Sequence, residues 1–152
     1  MDVVGGVRLA DGSEAKIVSG IDDHWRFVVP AQVVARATAR PTCDALLAAI
    51  GRYGPPEQIL TDNGKVFTGR YGPGTGQVLF DRIRHDHGIR HLLTAPRSPT
   101  TTGKIERWHK TLRGEFLDGK TFTSIANAQA QLDDWVGWGR ARRSTLHAPP
   151  PT

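Results

Sequence analysis

The chain has 152 residues, 38% hydrophobic and 23% charged, a composition that suits one globular domain with a sizeable core. Twenty Lys and Arg against fifteen Asp and Glu give a net charge of +5, which favours an anionic partner such as nucleic acid. The single Cys43 excludes an intramolecular disulfide, and no apolar run is long enough for a signal-peptide core or a membrane span. We therefore expect a cytoplasmic protein with no membrane partner.

Short β-branched runs in the first third of the sequence predict three antiparallel strands. The runs are "MDVVGGV", "AKIVSGI" and "RFVVPAQVV", and the polar "DDHW" between the last two predicts a hairpin turn. Pro30 lies inside the third run and has no N–H to donate, so this strand is expected at a sheet edge or at a bulge.

The rest of the chain alternates between helical and strand patterns. Helices are predicted at "PTCDALLAAIGRY", which Gly54 ends, at "GQVLFDRIRHDH", which Gly88 ends, from Lys104 to Leu117, and from Ser124 to about Arg140. "QILTD" and "IRHLL" are the strands that separate the first three of these helices. This order predicts an α/β domain with a mixed five-stranded sheet flanked by helices.

The stretch "TDNGKVF" places Asp62 at the end of the predicted fourth strand and allows two interpretations. An Asp-Asn-Gly triplet is an ordinary turn signal, because Asn tolerates left-handed backbone angles and Gly adopts them freely. The alternative is that Asp62 is a metal ligand. That interpretation requires other acidic ligands elsewhere in the chain.

The helix in "GKIERWHKTLRGEF" carries one such acid. Its apolar residues repeat at helical spacing and predict a face toward the core, formed by Ile105, Trp108, Leu112 and Phe116. Glu106, Lys110 and Arg113 lie on a different face, where Glu106 would hold a metal in the first turn and the two cations would meet phosphates beyond it. The simpler alternative is a solvent-exposed helix pair, since Glu four residues before Lys is the favourable order.

Asp2 in the first strand completes a set of three acids. If the first and fourth strands lie side by side, the carboxylates of Asp2 and Asp62 converge, and Glu106 reaches them from the helix above. Clustered carboxylates raise each other's pKa values unless a cation is present, and oxygen ligands suit Mg²⁺ or Mn²⁺. Two ions held in this way support phosphoryl transfer.

Three histidines and the single cysteine are predicted to have structural rather than metal-binding or catalytic roles. His85, His87 and His91 have no Cys or acidic partner at zinc spacing, so surface histidines are predicted. Cys43 lies at a helix start, where its pKa can be lowered, but it has no His or Asp motif beside it. We predict that Cys43 is an inert packing residue.

Three segments together carry a family resemblance. "MDVV", "ILTDNGKVFTG" and "TAPRSPTTTGKIERWHKTLRGEF" resemble the catalytic core of retroviral integrases and of bacterial insertion-sequence transposases of the Asp-Asp-Glu type. The resemblance implies a ribonuclease-H-like fold and metal-dependent DNA cleavage and strand transfer. It also implies that Asp2, Asp62 and Glu106 form the catalytic triad that binds Mg²⁺ or Mn²⁺, as two ions, and that the chain acts as a homo-oligomer.

The same resemblance assigns a DNA-binding surface. Lys110 and Arg113 are expected to face DNA, with Asn63 and Lys65 near the rim of the cleft. Lys104, at the start of the same predicted helix as Lys110, is assigned to the same surface.

The resemblance covers residues 1–147, which are expected to form the catalytic core, and residues 148–152 form a Pro-rich tail. Family members usually carry a helix-turn-helix region before the core, whereas this chain starts one residue before Asp2. The sequence therefore predicts either a fragment or a decayed element. A catalytically silent remnant that only binds DNA is the alternative to an active transferase.

Overall fold

The computed structural model describes residues 1–21, 28–62, 64–68, 79–93 and 99–146. Its strands are β1 (Asp2–Arg8), β2 (Glu14–Ile21), β3 (Val28–Val34), β4 (Gln58–Thr61) and β5 (Arg90–Leu93). Its helices are α1 (Ala39–Tyr53), α2 (Lys65–Thr68), α3 (Leu79–Asp86), α4 (Pro99–Thr111) and α5 (Ile125–Leu146). A π-helical turn at Leu112–Leu117, called the π segment below, continues α4.

The strands form two hydrogen-bonded groups in the described part of the chain. β1, β2 and β3 make an antiparallel sheet in that order, and β4 pairs with β5 in parallel. The nitrogen of Met1 links the groups, since it donates to the Leu60 carbonyl oxygen over 2.6 Å. All five predicted strands are thus present. In the described ranges they form these two hydrogen-bonded groups in place of one continuous five-stranded sheet. β4 has only four residues, and β1 begins at Asp2, so the two strands meet near one end of each.

Irregular register marks both outer strands of the antiparallel sheet. β1 gains one residue against β2 at Gly5–Gly6, where Gly6 adopts a φ of 99° that favours glycine. β3 gains one against β2 between Val28 and Ala31, the stretch that contains Pro30. β3 also lies at the edge of this sheet. The prediction that Pro30 marks an edge strand or a bulge is confirmed.

Helix α4 begins five residues earlier than predicted, at Pro99 instead of Lys104. Proline fits the first turn of a helix because the N–H it lacks has no intrahelical acceptor there. The earlier start places Glu106 in the middle of α4, so the expectation that it lies in the first turn was wrong.

Helix α5 begins where the sequence predicted and ends later. The hydroxyl oxygen of Ser124 accepts a hydrogen bond from the Asn127 backbone N–H over 3.0 Å, which caps the first turn. The helix then continues past Arg140 to Leu146, because the sequence between Arg140 and Pro149 contains no proline that would end it.

Several sequence predictions fall on residues outside the described ranges. They include the "DDHW" turn, the first residues of the predicted "GQVLFDRIRHDH" helix and the Pro-rich tail at 148–152. The short helix α2 was not predicted, because its four residues follow directly on a turn signal and are too few to show helical spacing.

The larger core cluster lies between the antiparallel sheet, α4, the π segment and α5. It contains Trp108, Leu112 and Phe116, and Ile105 packs against it, which confirms the predicted apolar face. A second cluster joins α1, α3 and β4. Within it, burial raises the pKa of the Cys43 thiol to about 11, so its role is packing, as predicted.

In the described ranges, no helix combines the length and apolar character needed to cross a bilayer.

Candidate active site

The first two acids of the predicted triad lie on either side of the contact between β1 and β4. Asp2 begins β1 and Asp62 follows directly after β4. Burial lowers the pKa of the Met1 amine, and the carboxylates of Asp2 and Asp62 act in the opposite direction. Met1 directly precedes Asp2, and its nitrogen donates to the carbonyl of Leu60, two residues before Asp62, so this contact lies between the two acids in the fold. The tertiary structure brings together two acids that are 60 residues apart in the sequence.

The third acid approaches the same place from α4, through His109. This imidazole is 8% exposed, and its Nδ1 lies 3.7 Å from Oδ2 of Asp2. Burial lowers the pKa of His109, whereas the Asp2 carboxylate and, more weakly, Glu106 raise it. The contact between His109 and Asp2 therefore places α4, at a position three residues after Glu106, beside the start of β1.

His109 is a residue of the site that the sequence analysis missed. It follows Glu106 by three positions, so both side chains lie on adjacent parts of the helix surface. The available signal was this spacing, since it places a titratable side chain between Glu106 and the buried face. Its Nε2 is buried and makes no hydrogen bond to the residues that the structure describes.

Backbone hydrogen bonds hold one oxygen of each strand-borne carboxylate. Oδ1 of Asp2 accepts from the Val3 N–H over 2.8 Å, and Oδ1 of Asp62 accepts from the Gly64 N–H over 2.9 Å. The second bond makes an Asx turn, so the ordinary turn interpretation of Asp-Asn-Gly is also correct.

The donor types at this site fit a hard divalent cation. Carboxylate oxygens are the ligands that Mg²⁺ and Mn²⁺ prefer, and Asp2, Asp62 and Glu106 each supply them. Asp62 and Glu106 are exposed, and the Asp2 side chain is 34% exposed. Among the described residues, no three acidic, His or Cys side chains are already close enough together to hold one ion. Coordination of one ion by all three acids would require a change in their side-chain positions.

The predicted phosphate-binding cations lie beside the acids. Lys110, in α4, and Arg113, in the π segment, are both exposed. The ion pairs between described residues are Arg40–Asp44, Arg84–Asp81 and His109–Asp2. Glu106 and Lys110 do not form an ion pair. The interpretation of these two residues as a simple helix pair predicted that contact.

The other predicted DNA-binding residues are only partly covered by the structure. Asn63 lies outside the described residues. Lys65 begins α2 and Lys104 lies in α4, but their side chains are outside the description. Their roles in DNA binding stay predictions.

The prediction of a surface position is confirmed for two of the three histidines and wrong for His91. His85 and His87 are exposed, as predicted. His91 is half-buried on β5, and its Nε2 lies 2.7 Å from Oγ1 of Thr61. Local sequence patterns do not show this contact, because it joins two residues on different strands that are 30 positions apart.

Gly64 is predicted to be required for the position of the Asp62 carboxylate. A Cβ added at Gly64 would lie 2.9 Å from Oδ1 of Asp62, closer than real Cβ contacts allow. We expect Gly64→Ala to displace this carboxylate and weaken stabilisation by Mn²⁺, measured as the shift in melting temperature. The matched control is Gly51→Ala in α1, where an added Cβ meets no atom within 4 Å.

The control should raise stability by about 0.5–1 kcal/mol through helix propensity and leave the Mn²⁺ response unchanged. An equal Mn²⁺ response in Gly64→Ala and in the wild type would contradict the importance of this contact.

Comparison with known proteins places these features in a family. A model described as "Integrase core domain" matches residues 1–99, and a second model with the same description matches residues 87–143. The first match alone spans more than half of the chain. The two matches together cover β1 through most of α5, including all three acids.

The relatives include mobile-element and viral proteins. The insertion element IS476 uncharacterized 39.2 kDa protein of Xanthomonas euvesicatoria is 32% identical over 127 residues, covering 84% of this chain and 34% of that protein. The insertion element IS407 uncharacterized 31.7 kDa protein of Burkholderia multivorans is 27% identical, covering 84% and 43%. The Gag-Pol polyprotein of Walleye dermal sarcoma virus is 26% identical, covering 80% and 6%. The chain thus spans less than half the length of these relatives.

Solved structures with the same fold come from retroviruses. The simian T-cell lymphotropic virus intasome in complex with PP2A regulatory subunit B56 gamma matches with a TM-score of 0.66 at 23% identity, covering 86% of this chain and 45% of that one. The HTLV-2 integrase catalytic core domain in complex with magnesium, in its trimeric form, matches with a TM-score of 0.58 at 22% identity, covering 84% and 75%. These likenesses show the ribonuclease-H-like fold. The family-model match over residues 1–99 shows that the chain belongs to the Integrase core domain family, and the chain is similar to proteins of bacterial insertion elements and to retroviral integrase cores.

Proposed function

We propose that this chain is the catalytic core of a polynucleotidyl transferase that cleaves DNA strands and transfers them, with Mg²⁺ or Mn²⁺ held by Asp2, Asp62 and Glu106. The observation that supports the proposal is that Asp2 and Asp62 lie at the contact of β1 with β4, and that His109, three residues after Glu106 on α4, lies 3.7 Å from Asp2. Asp2 and Asp62 both act on the Met1 amine, and Asp2 and Glu106 both act on His109. Acids so placed without a paired cation repel one another, and a divalent ion relieves that repulsion.

The reaction needs an attacking oxygen, a phosphate and a leaving oxygen. Two divalent ions, when bound, activate the attacking oxygen and stabilise the leaving oxygen of an in-line displacement. The carboxylates of Asp2, Asp62 and Glu106 would hold and orient the ions, and the exposed cations of Lys110 and Arg113 would bind DNA phosphates. The related HTLV-2 core was solved in complex with magnesium, which supports the same requirement here.

The proposed partners follow from this chemistry. The substrate is DNA, both the element end that is cut and the target duplex, and the net charge of +5 favours such a polyanion. The HTLV-2 core occurs in trimeric and dimeric forms, which supports self-association of this chain. Since the insertion-element relatives are longer, we propose that residues 1–147 act as the catalytic core of a larger transposase.

Metal binding provides the direct test of this proposal. Because the ion relieves repulsion between carboxylates, Mg²⁺ or Mn²⁺ should raise the melting temperature of the wild type. The shift should be much smaller in Asp62→Asn, which removes one charged ligand. It is measured by differential scanning fluorimetry over a titration of each ion.

Asp86→Asn is the matched control, because Asp86 is an exposed acid at the end of α3 and outside the proposed site. It should retain the full metal-dependent shift. If Asp62→Asn and the wild type respond identically, Asp62 has no role in metal binding, and the alternative of a silent DNA-binding remnant becomes the better one.

A further inference from the structure

A buried hydroxyl connects the end of β4 to β5. Thr61 is the last residue of β4 and is 1% exposed. Its Oγ1 lies 2.9 Å from the carbonyl oxygen of Asp62 and 2.7 Å from Nε2 of His91. A contact between β5 and the backbone of Asp62 therefore runs through a single side chain.

The donors in this chain of contacts can be assigned from its chemistry. A threonine hydroxyl has one proton to donate and two lone pairs to accept with, whereas a carbonyl oxygen can only accept. The hydroxyl therefore donates to the Asp62 carbonyl, and both contacts are satisfied only when His91 donates its Nε2–H to Oγ1. The neutral ring then carries its proton on Nε2.

The fold fixes the position of the His91 ring. His91 pairs with Ile59 in the parallel ladder, so it lies on the same face of these strands as Ile59 and Thr61. The Phe80 ring packs edge-on against His91, with centroids 5.0 Å apart. Burial lowers the pKa of His91, and the Arg84 guanidinium lowers it further against an opposing effect of Asp81, so the neutral ring is favoured.

We propose that His91 is a positioning residue that orients Asp62 through the Thr61 hydroxyl. The proposal rests on the function proposed above, in which Asp62 binds metal. The carbonyl of Asp62 is held by Thr61 and its Oδ1 by the Gly64 N–H, so both ends of the residue are fixed. The two bonds together restrain the carboxylate of Asp62 beside the end of β4. Without the hydroxyl bond, the peptide after β4 is free to rotate and the carboxylate with it.

Variants that differ only in hydrogen bonding test this proposal. Thr61→Val removes the hydroxyl and keeps the side-chain shape, and His91→Phe keeps a ring against Phe80 but removes the donor. Thr61→Ser and His91→Gln each keep the group that makes the bond. The two disruptive variants should bind Mn²⁺ about 10–100-fold more weakly, as is typical when a partner of a metal ligand is lost. The two conservative variants should bind it close to the wild-type level.

Mn²⁺ binding is measured by electron paramagnetic resonance of the free ion, and folding of each variant by circular dichroism without metal. The NMR shift of the Gly64 amide gives a second readout in metal-free protein, because this amide donates to Asp62. It should move in Thr61→Val and His91→Phe only. The double variant Thr61→Val/His91→Phe should be no weaker than either single one, since both break the same connection.

The outcomes separate this inference from the proposed function. If the wild type binds Mn²⁺, Asp62→Asn does not, and Thr61→Val binds like the wild type, the positioning role is overturned while the metal site stands. If the wild type itself binds no Mn²⁺, the proposed function is overturned. In that case an unchanged Gly64 amide shift in Thr61→Val also overturns the positioning role.

Discussion

Replacing Glu106 with glutamine is expected to reduce metal-dependent DNA cutting and joining by more than about 100-fold, while metal-free DNA binding stays the same or tightens. Even groups that only support a metal ligand are commonly worth 10–100-fold in activity, so loss of a ligand should cost more. The change also removes a negative charge beside Lys110 and Arg113, which favours the approach of DNA phosphates. Strand cleavage and filter-binding assays on the same duplex measure the two effects.

Glu115→Gln is the matched control for this experiment. Glu115 is an exposed acid in the π segment, nine residues beyond Glu106, and is not part of the proposed triad. It makes the same change in charge and should leave cleavage unchanged. The helix-pair interpretation of Glu106 and Lys110 predicts instead a stability loss of only about 0.2–0.5 kcal/mol and no effect on DNA. Equal cleavage by Glu106→Gln and Glu115→Gln would exclude Glu106 from the triad.

Changing both Lys110 and Arg113 to alanine is expected to weaken binding to any duplex, whatever its sequence. Each phosphate contact releases bound counterions, so losing two contacts should lower the slope of log affinity against log salt by at most about two units. Both side chains are exposed, so the protein should remain folded. Filter-binding titrations at several salt concentrations measure the slope.

The double variant Arg36→Ala/Arg82→Ala controls for the total charge. Arg36 and Arg82 are exposed cations before α1 and in α3, so their loss lowers the net charge by the same amount. A flattened slope in the Lys110/Arg113 variant and a smaller change in the control would assign the phosphate contacts to α4 and the π segment. Unchanged DNA affinity in the Lys110/Arg113 variant would leave both residues as solvated helix charges.

Local patterns predicted most of the secondary structure. β-branched runs located β1 and β2, and the spacing of Trp108, Leu112 and Phe116 located the buried face of α4. These signals are local because the side chains that share one face of a strand or of a helix are only a few residues apart in the sequence. The start of α4 was missed because Pro99 within a Thr-rich run is typical of a loop and of a first helical turn alike.

The candidate acids could also be named from sequence, since Asp62 follows a strand pattern and Glu106 lies on the polar face of a helix. The residues that surround these acids in the folded protein could not be predicted from the sequence. The burial of His109 against Asp2 depends on packing α4 across the antiparallel sheet. The bond between Thr61 and His91 depends on the register of β4 against β5.

The sequence by itself determined the fold class, the order of the elements, the basic charge and the types of residue that can bind metal and phosphate. Each of these follows from composition or from periodicity over a few neighbouring residues. Only the tertiary structure decided which distant groups meet: the Met1 nitrogen with Leu60, His109 with Asp2, and His91 with Thr61. Such contacts are set by strand register and by packing between elements, because these bring together residues that are far apart along the chain and share no local pattern.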